Sequence, residues 1–259
     1  MREGADFIAG IYNYCDTWCE RCLFTARCSS FQMQQQQEAE TPATPAATTR
    51  TGEVLVQQLT EALNLTKQYI ETLRTQQGLT GDDTPSETDK RKLEEEAAFR
   101  RQQAKNHPIA QLSHQYMRSS GDWMREEADL LEDAGQQQLQ AVQMGIRENE
   151  EALAMLNTLK DAWEMIKWYR TLIPVKAMSA LRVLSDPTSD PHLNHYYLGK
   201  AKLVLVCIDR SLLAWQTMLE SYPEKTDEAL DVLAMLSRMR REMETLFPEA
   251  RAFRRPGLD

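Results

Sequence analysis

Apolar residues recur every three or four positions along most of this chain, the spacing that gathers them on one face of an α-helix. Val56, Leu59, Leu63, Ile70 and Leu73 mark such a face within residues 53–77. The stretch 78–87, with its Gly, Asp and Pro residues, breaks it. Residues 88–106 are dense in charge and predict a solvated helix that stops before Pro108. Ile109, Leu112, Tyr116, Trp123, Leu130 and Ala134 then predict one helix over 109–143, ended near Gly145. The longest amphipathic pattern is 147–185, where Leu156, Leu159, Trp163, Ile166, Ile173, Ala177 and Leu184 share a stripe. Pro174 lies inside it and predicts a kink, because proline lacks the N–H and crowds the preceding turn. Residues 186–191 read DPTSDP, a break in which Asp190 is placed to cap the next helix and Pro191 to begin it. Leu198, Ala201, Leu205, Ile208, Leu212, Trp215, Leu219 and Tyr222 give an uninterrupted three-four alternation up to Pro223. Thr226 is expected to cap a last helix carrying Leu230, Leu233, Leu236, Met243 and Leu246, closed by Pro248 and followed by a loosely ordered tail.

At the other end, Ile8, Tyr12, Cys15, Cys19 and Cys22 step by four, three, four and three, predicting a helix within residues 4–22. No stretch alternates as a strand does, and no repeat of fixed 20–50-residue period is present. The pattern therefore predicts an all-α chain. Its parts are a Cys-rich helical arm over 1–31, a Gln-, Thr-, Ala- and Pro-rich flexible linker over 32–52, an antiparallel bundle of four to six helices over 53–247, and a tail over 248–259.

Composition narrows the function. With 10 Gly and 10 Pro in 259 residues, the chain is poorer than average in both, which excludes a turn-rich β protein. A net charge of −9 argues against nucleic acid or an anionic membrane as partner. The first residues, with acidic Glu3 and Asp6 and no long apolar run, are not expected to act as a secretory leader. The longest apolar run is LVLVCI at 203–208, against the roughly 20 residues that a membrane span needs. A cytoplasmic chain with reduced thiols is expected, together with a protein partner or self-association.

Four of the five cysteines fall between 15 and 28, as Cys15-x3-Cys19-x2-Cys22-x5-Cys28. In a reducing compartment, clustered thiols read first as metal ligands, because thiolate is a soft anionic donor for zinc and for iron–sulfur centres. On one helix, residues 15, 19 and 22 would share a face, with Cys28 arriving from the turn that follows. Arg2, Arg21 and Arg27 lie close in sequence and would offset the charge of four thiolates. Common zinc sites use two separated C-x2-C pairs, and only Cys19 and Cys22 form one here. Three close cysteines with a fourth nearby resemble a cubane pattern, so the expected cofactor is a 4Fe–4S cluster or zinc.

Over eight residues, C-x3-C-x2-C is also similar to the cluster motif of radical S-adenosylmethionine enzymes. Arg21 stands where that family usually carries an aromatic, and the chain supplies no β/α barrel, so nothing is carried over from it. The bland alternative is that thiols packed as small apolar groups extend the Ile8–Tyr12 stripe, or form a redox-active dithiol. Cys207, inside LVLVCI, reads as core.

The remaining chemistry reads mostly as structure. His192 and His195, and His107 and His114, read as ordinary residues near helix starts rather than ligands. The pair of Glu-x-x-His helices that a di-iron bundle needs does not exist in this sequence. Glu127 and Asp209 interrupt apolar faces and need ion-pair partners, with Arg170, Lys176, Arg182 and Arg210 available. Trp163, Trp168, Tyr169, Tyr196, Tyr197 and Trp215 read as core aromatics. Met235, Met239 and Met243 with Arg238, Arg240 and Arg241 read as core beside a solvated basic face. There is no P-loop, G-x-G-x-x-G, G-x-S-x-G or H-E-x-x-H. Three functions remain: a metal-binding protein with a partner-binding scaffold, a redox enzyme or electron-transfer protein, and a metal-free interaction module.

Overall fold

The structure is a computed structural model that describes residues 6–40, 60, 63, 86–185 and 190–259. The chain is all-α: every regular element among the described residues is helical. The α-helices are α1 (Ser29–Glu40), α2 (Glu87–Asn106), α3 (Pro108–Glu126), α4 (Leu130–Gln143), α5 (Asn149–Ser185), α6 (Pro191–Ser221) and α7 (Thr226–Leu246). Two compact units are present, Met1–Gln32 with Ala97–Asp259, and Met33–Glu96. In the second, the described part of α2 is exposed and carries Lys90–Glu87 and Arg91–Glu95 ion pairs, as its charge density predicts.

In the first unit, α5 packs on α6, α3 and α4, while α7 packs on α6 and α3. Leu203, Val204 and Leu205 are consecutive and fully buried, so α6 is covered over a broad face here, leaving Lys202, Val206 and Asp209 half-buried on the other. Trp215 is also fully buried and meets Trp123 of α3 edge-on at 4.8 Å. Each large apolar side chain buried in this way contributes roughly 1.5–3 kcal/mol.

Side-chain caps form at two helix starts, one at the predicted Asp190 and one at His107, which the sequence pattern marks only as an ordinary residue. Asp190 accepts the N–H of His192 ahead of Pro191. His107 caps α3 through Nδ1, which accepts the N–H of Ile109. Gly145 takes a left-handed φ of 70° after α4, the conformation glycine supplies at least cost. Among the described residues, no helix is long and apolar enough to cross a membrane.

Several expectations are corrected. The single helix over 109–143 is two, because the chain leaves helical geometry at Glu127, whose carboxylate accepts from Lys225 Nζ at 2.5 Å. Trp123 and Leu130 stay buried on either side of this break, which is why the periodic pattern did not reveal it. Helix α5 spans Asn149–Ser185 with Pro174 inside it, close to the range the pattern predicts. Thr226 does not cap α7; it is the first helical residue, and its hydroxyl donates to the Pro223 carbonyl. The tail is packed, not loose: Ala250 and Phe253 are buried, Arg255 pairs with Asp259, and Arg251 pairs with Asp209 and Glu244.

The expected arm helix is absent as an α-helix. Between Asp6 and Cys28 the chain makes three single 3-10 turns, Ile11–Asn13, Cys19–Arg21 and Thr25–Arg27. Gly10 at φ 73° and Thr17 at φ 57° interrupt the path. Of the expected linker, residues 32–40 belong to α1, and the remainder lies outside the described residues. So do the expected helix over 53–77, apart from helical Thr60 and Leu63, and residues 186–189.

Candidate functional site

The turns of the arm bring all four N-terminal cysteines to the wall of one small cavity. Cys15, Cys19, Cys22 and Cys28 line a single cavity of about 30 Å³ with Ile11, Tyr12, Asp16, Thr17, Trp18, Thr25 and Phe31. That volume exceeds the roughly 10–15 Å³ that one water molecule requires. The convergence comes from reversals of the chain rather than from a shared helix face. Thr17 is a β-branched residue in the left-handed region, where such side chains are rarely tolerated. This costly turn lies between Cys15 and Cys19, and backbone strain of this kind concentrates at functional sites. A second loop is closed where the N–H of Ile8 donates to the Arg27 carbonyl at 3.0 Å and Arg27 pairs with Asp6.

The electrostatics agree with the convergence. Burial pushes the Cys19 thiol above its ordinary range, and the sulfurs of Cys15, Cys22 and Cys28 each push it further. Burial also raises Cys15; a backbone N–H at Thr17 opposes this, Asp16 and Cys28 add to it, and Lys176 opposes it. Metal uptake at these two thiols would therefore release protons. The N–H of Phe24 donates to Cys22 Sγ at 3.4 Å. Among the described residues, no three His, Cys, Asp or Glu side chains are grouped as a site for a metal ion.

The arm is seated on α5 and α6. Asp161, Glu164, Met165, Trp168 and Tyr169 follow the three-four spacing of one helix face, and that face meets the arm. Arg21 pairs with Asp161 and Glu164, and its guanidinium lies 4.3 Å from the Trp18 ring centre. Trp18 stacks on Trp168 at 5.0 Å and 14°. The Nε1–H of Trp168 donates to the Asp16 carbonyl at 3.1 Å. The Asp16 carboxylate accepts from the Tyr169 hydroxyl at 2.6 Å and from Arg210 Nη1 on α6. Burial and the neighbouring Asp16 carboxylate hold the Tyr169 phenol well above its ordinary value. Lys200 Nζ donates to the Asn13 carbonyl at 2.6 Å. Tyr14 enters beside Gly199 and against the Phe253 ring, 5.2 Å centre to centre.

Other sequence candidates fall into structural roles. Cys207 is fully buried on α6. Glu127 and Asp209 are ion-paired as expected, but with Lys225 and with Arg251 and Arg240 rather than with Arg170, Lys176, Arg182 or Arg210. His195 packs against Phe253 at 4.7 Å. Met239 and Met243 are buried, and Arg238 pairs with Glu242 on the same helix.

Asp16, Tyr169, Arg210 and Arg255 are the residues that sequence reasoning missed at this site. The one local sign was Asp16 itself, a charged residue set inside the cysteine motif. No protein-family model matches the chain, and no curated protein or solved structure matches it either.

Proposed function

We propose that this chain is a cytoplasmic metal-binding protein, an antiparallel helical bundle whose arm holds an iron–sulfur cluster through Cys15, Cys19, Cys22 and Cys28. The observation that carries the reading is that all four thiols wall one cavity. Zinc is the alternative occupant. A single zinc ion draws four sulfurs to about 2.3 Å from one point. The cluster is placed first because three close cysteines with a fourth nearby resemble a cubane pattern more than two separated C-x2-C pairs. The helical body is proposed as a scaffold for a protein partner or a second copy. Leu139, Met144, Ile146 and Leu153 are exposed near the connection between α4 and α5, where such a contact would gain apolar area. A redox role for the cluster is the second reading, favoured by the Trp18–Trp168 stack that leads from the cysteine wall to α5.

Anaerobic purification with a visible spectrum and iron, sulfide and zinc analysis tests the reading. A brown protein with stoichiometric iron and sulfide is the expected result. Stoichiometric zinc in a colourless protein overturns the cluster and the redox role together. Neither metal leaves the interaction module alone. Cys22→Ser is expected to lose most of the bound metal and Cys207→Ser to keep it; equal retention overturns the ligand set.

A further inference from the structure

A second cavity, of about 360 Å³, lies directly behind the cysteine wall. Its lining includes Trp18, Arg21 and Phe24 from the arm, Arg210 from α6, and Arg255 and Leu258 from the C-terminal segment. Its volume falls in the roughly 300–1,000 Å³ range of small-molecule sites. Its chemistry departs from that of the chain around it. The protein carries a net charge of −9, yet three guanidiniums and one carboxylate face this space. By contrast, the groove between α3 and α7 is lined by Asp122, Glu126, Glu228 and Asp231 with no cation.

The three arginines are positioned rather than loose. Arg255 is 7% exposed and is held by Asp259 through Nε and Nη2. Arg210 gives Nη1 to Asp16 and to the Tyr169 hydroxyl. Arg21 gives Nη2 to Asp161 and Glu164. A guanidinium carries five N–H donors in a rigid fork, so each of these bonding patterns engages only part of the set. Fixed forks of this kind suit a planar or tetrahedral oxyanion. The rest of the wall is apolar and aromatic, formed by Trp18, Phe24, Met165 and Leu258.

We propose that this cavity binds a small organic anion, its carboxylate or phosphate head held by Arg21, Arg210 and Arg255 and its apolar body lying against Trp18, Phe24 and Leu258. The ligand would sit against the outer side of Cys15 and Cys22. The proposal rests on the seating of the arm and on the charges of the wall, not on what the cysteines hold.

Isothermal titration calorimetry of the full chain as purified, with benzoate, phenyl phosphate and benzamide, tests it. Benzoate or phenyl phosphate is expected to bind at least tenfold more tightly than benzamide, and the better of the two identifies the head group. Leu258→Trp, which fills the cavity, is expected to abolish anion binding, and Arg21→Gln to weaken it at least fivefold, each with the far-UV circular dichroism of the parent. Equal affinity for benzamide and the anions overturns the proposal, leaving the arginines only to balance the thiolates. Anion binding undiminished in Leu258→Trp overturns the location. Metal analysis of the same samples keeps the two readings separate: a metal-free protein that still prefers the anions counts against the metal site alone.

Discussion

Cys207 and Asp16 show how differently single residues can be read from a sequence. Cys207 lies in an apolar run, and the fold buries it completely. Burial pushes its thiol from 9.0 up to about 12. A group whose folded pKa is raised contributes stability in full below its unfolded value, and loses it as pH rises toward the folded one. The stability of the parent relative to Cys207→Ala is therefore expected to fall by roughly 1.4 kcal/mol per pH unit between pH 9.0 and about 12. Denaturant unfolding of both chains across that window checks this, and parallel pH profiles would contradict it. Asp16 was legible only as an oddity among cysteines. Its partners, Tyr169 and Arg210, stand 153 and 194 residues away, beyond the reach of any local pattern.

At the scale of elements, α5, α6 and α7 were legible because each buries a continuous face against neighbours, and burial is what writes the three-four repeat. The arm misled for the same reason. Cysteines at 15, 19 and 22 match helical spacing, but Gly10 and Thr17 take left-handed conformations that a continuing α-helix excludes. The seating of the arm on α6 also depends on the absence of a side chain. Alanine is about 1 kcal/mol better than glycine inside a helix. At position 199, however, a Cβ would overlap the Tyr14 ring and stand 2.8 Å from Phe253 Cζ. Gly199→Ala is expected to destabilise the protein by about 1–3 kcal/mol in denaturant unfolding and to expose the arm to protease. A more stable variant would show that the arm is not held by Tyr14.

At the scale of the whole molecule, α-helical content and the cysteine site are separate. The described arm from Asp6 to Cys28 holds no α-helix, so stripping metal with a chelator is expected to leave the far-UV helical signal almost unchanged. Tm should fall, and the arm should become open to protease. A large loss of helix would mean instead that the occupied arm holds the helices together. All-helical architecture was legible from periodicity. The division between Glu96 and Ala97 was not, because it falls inside α2, where no change of composition marks it. The site is split in the same way: its four clustered cysteines were legible locally, and its surroundings were assembled from three distant parts of the chain. Cys15, Asp16, Trp18 and Cys22 form a partition shared by two chambers. A partition cannot shift for one chamber alone. An occupant that moves it on either side changes the affinity of the other side by some factor, and thermodynamic reciprocity requires that factor to be the same in both directions.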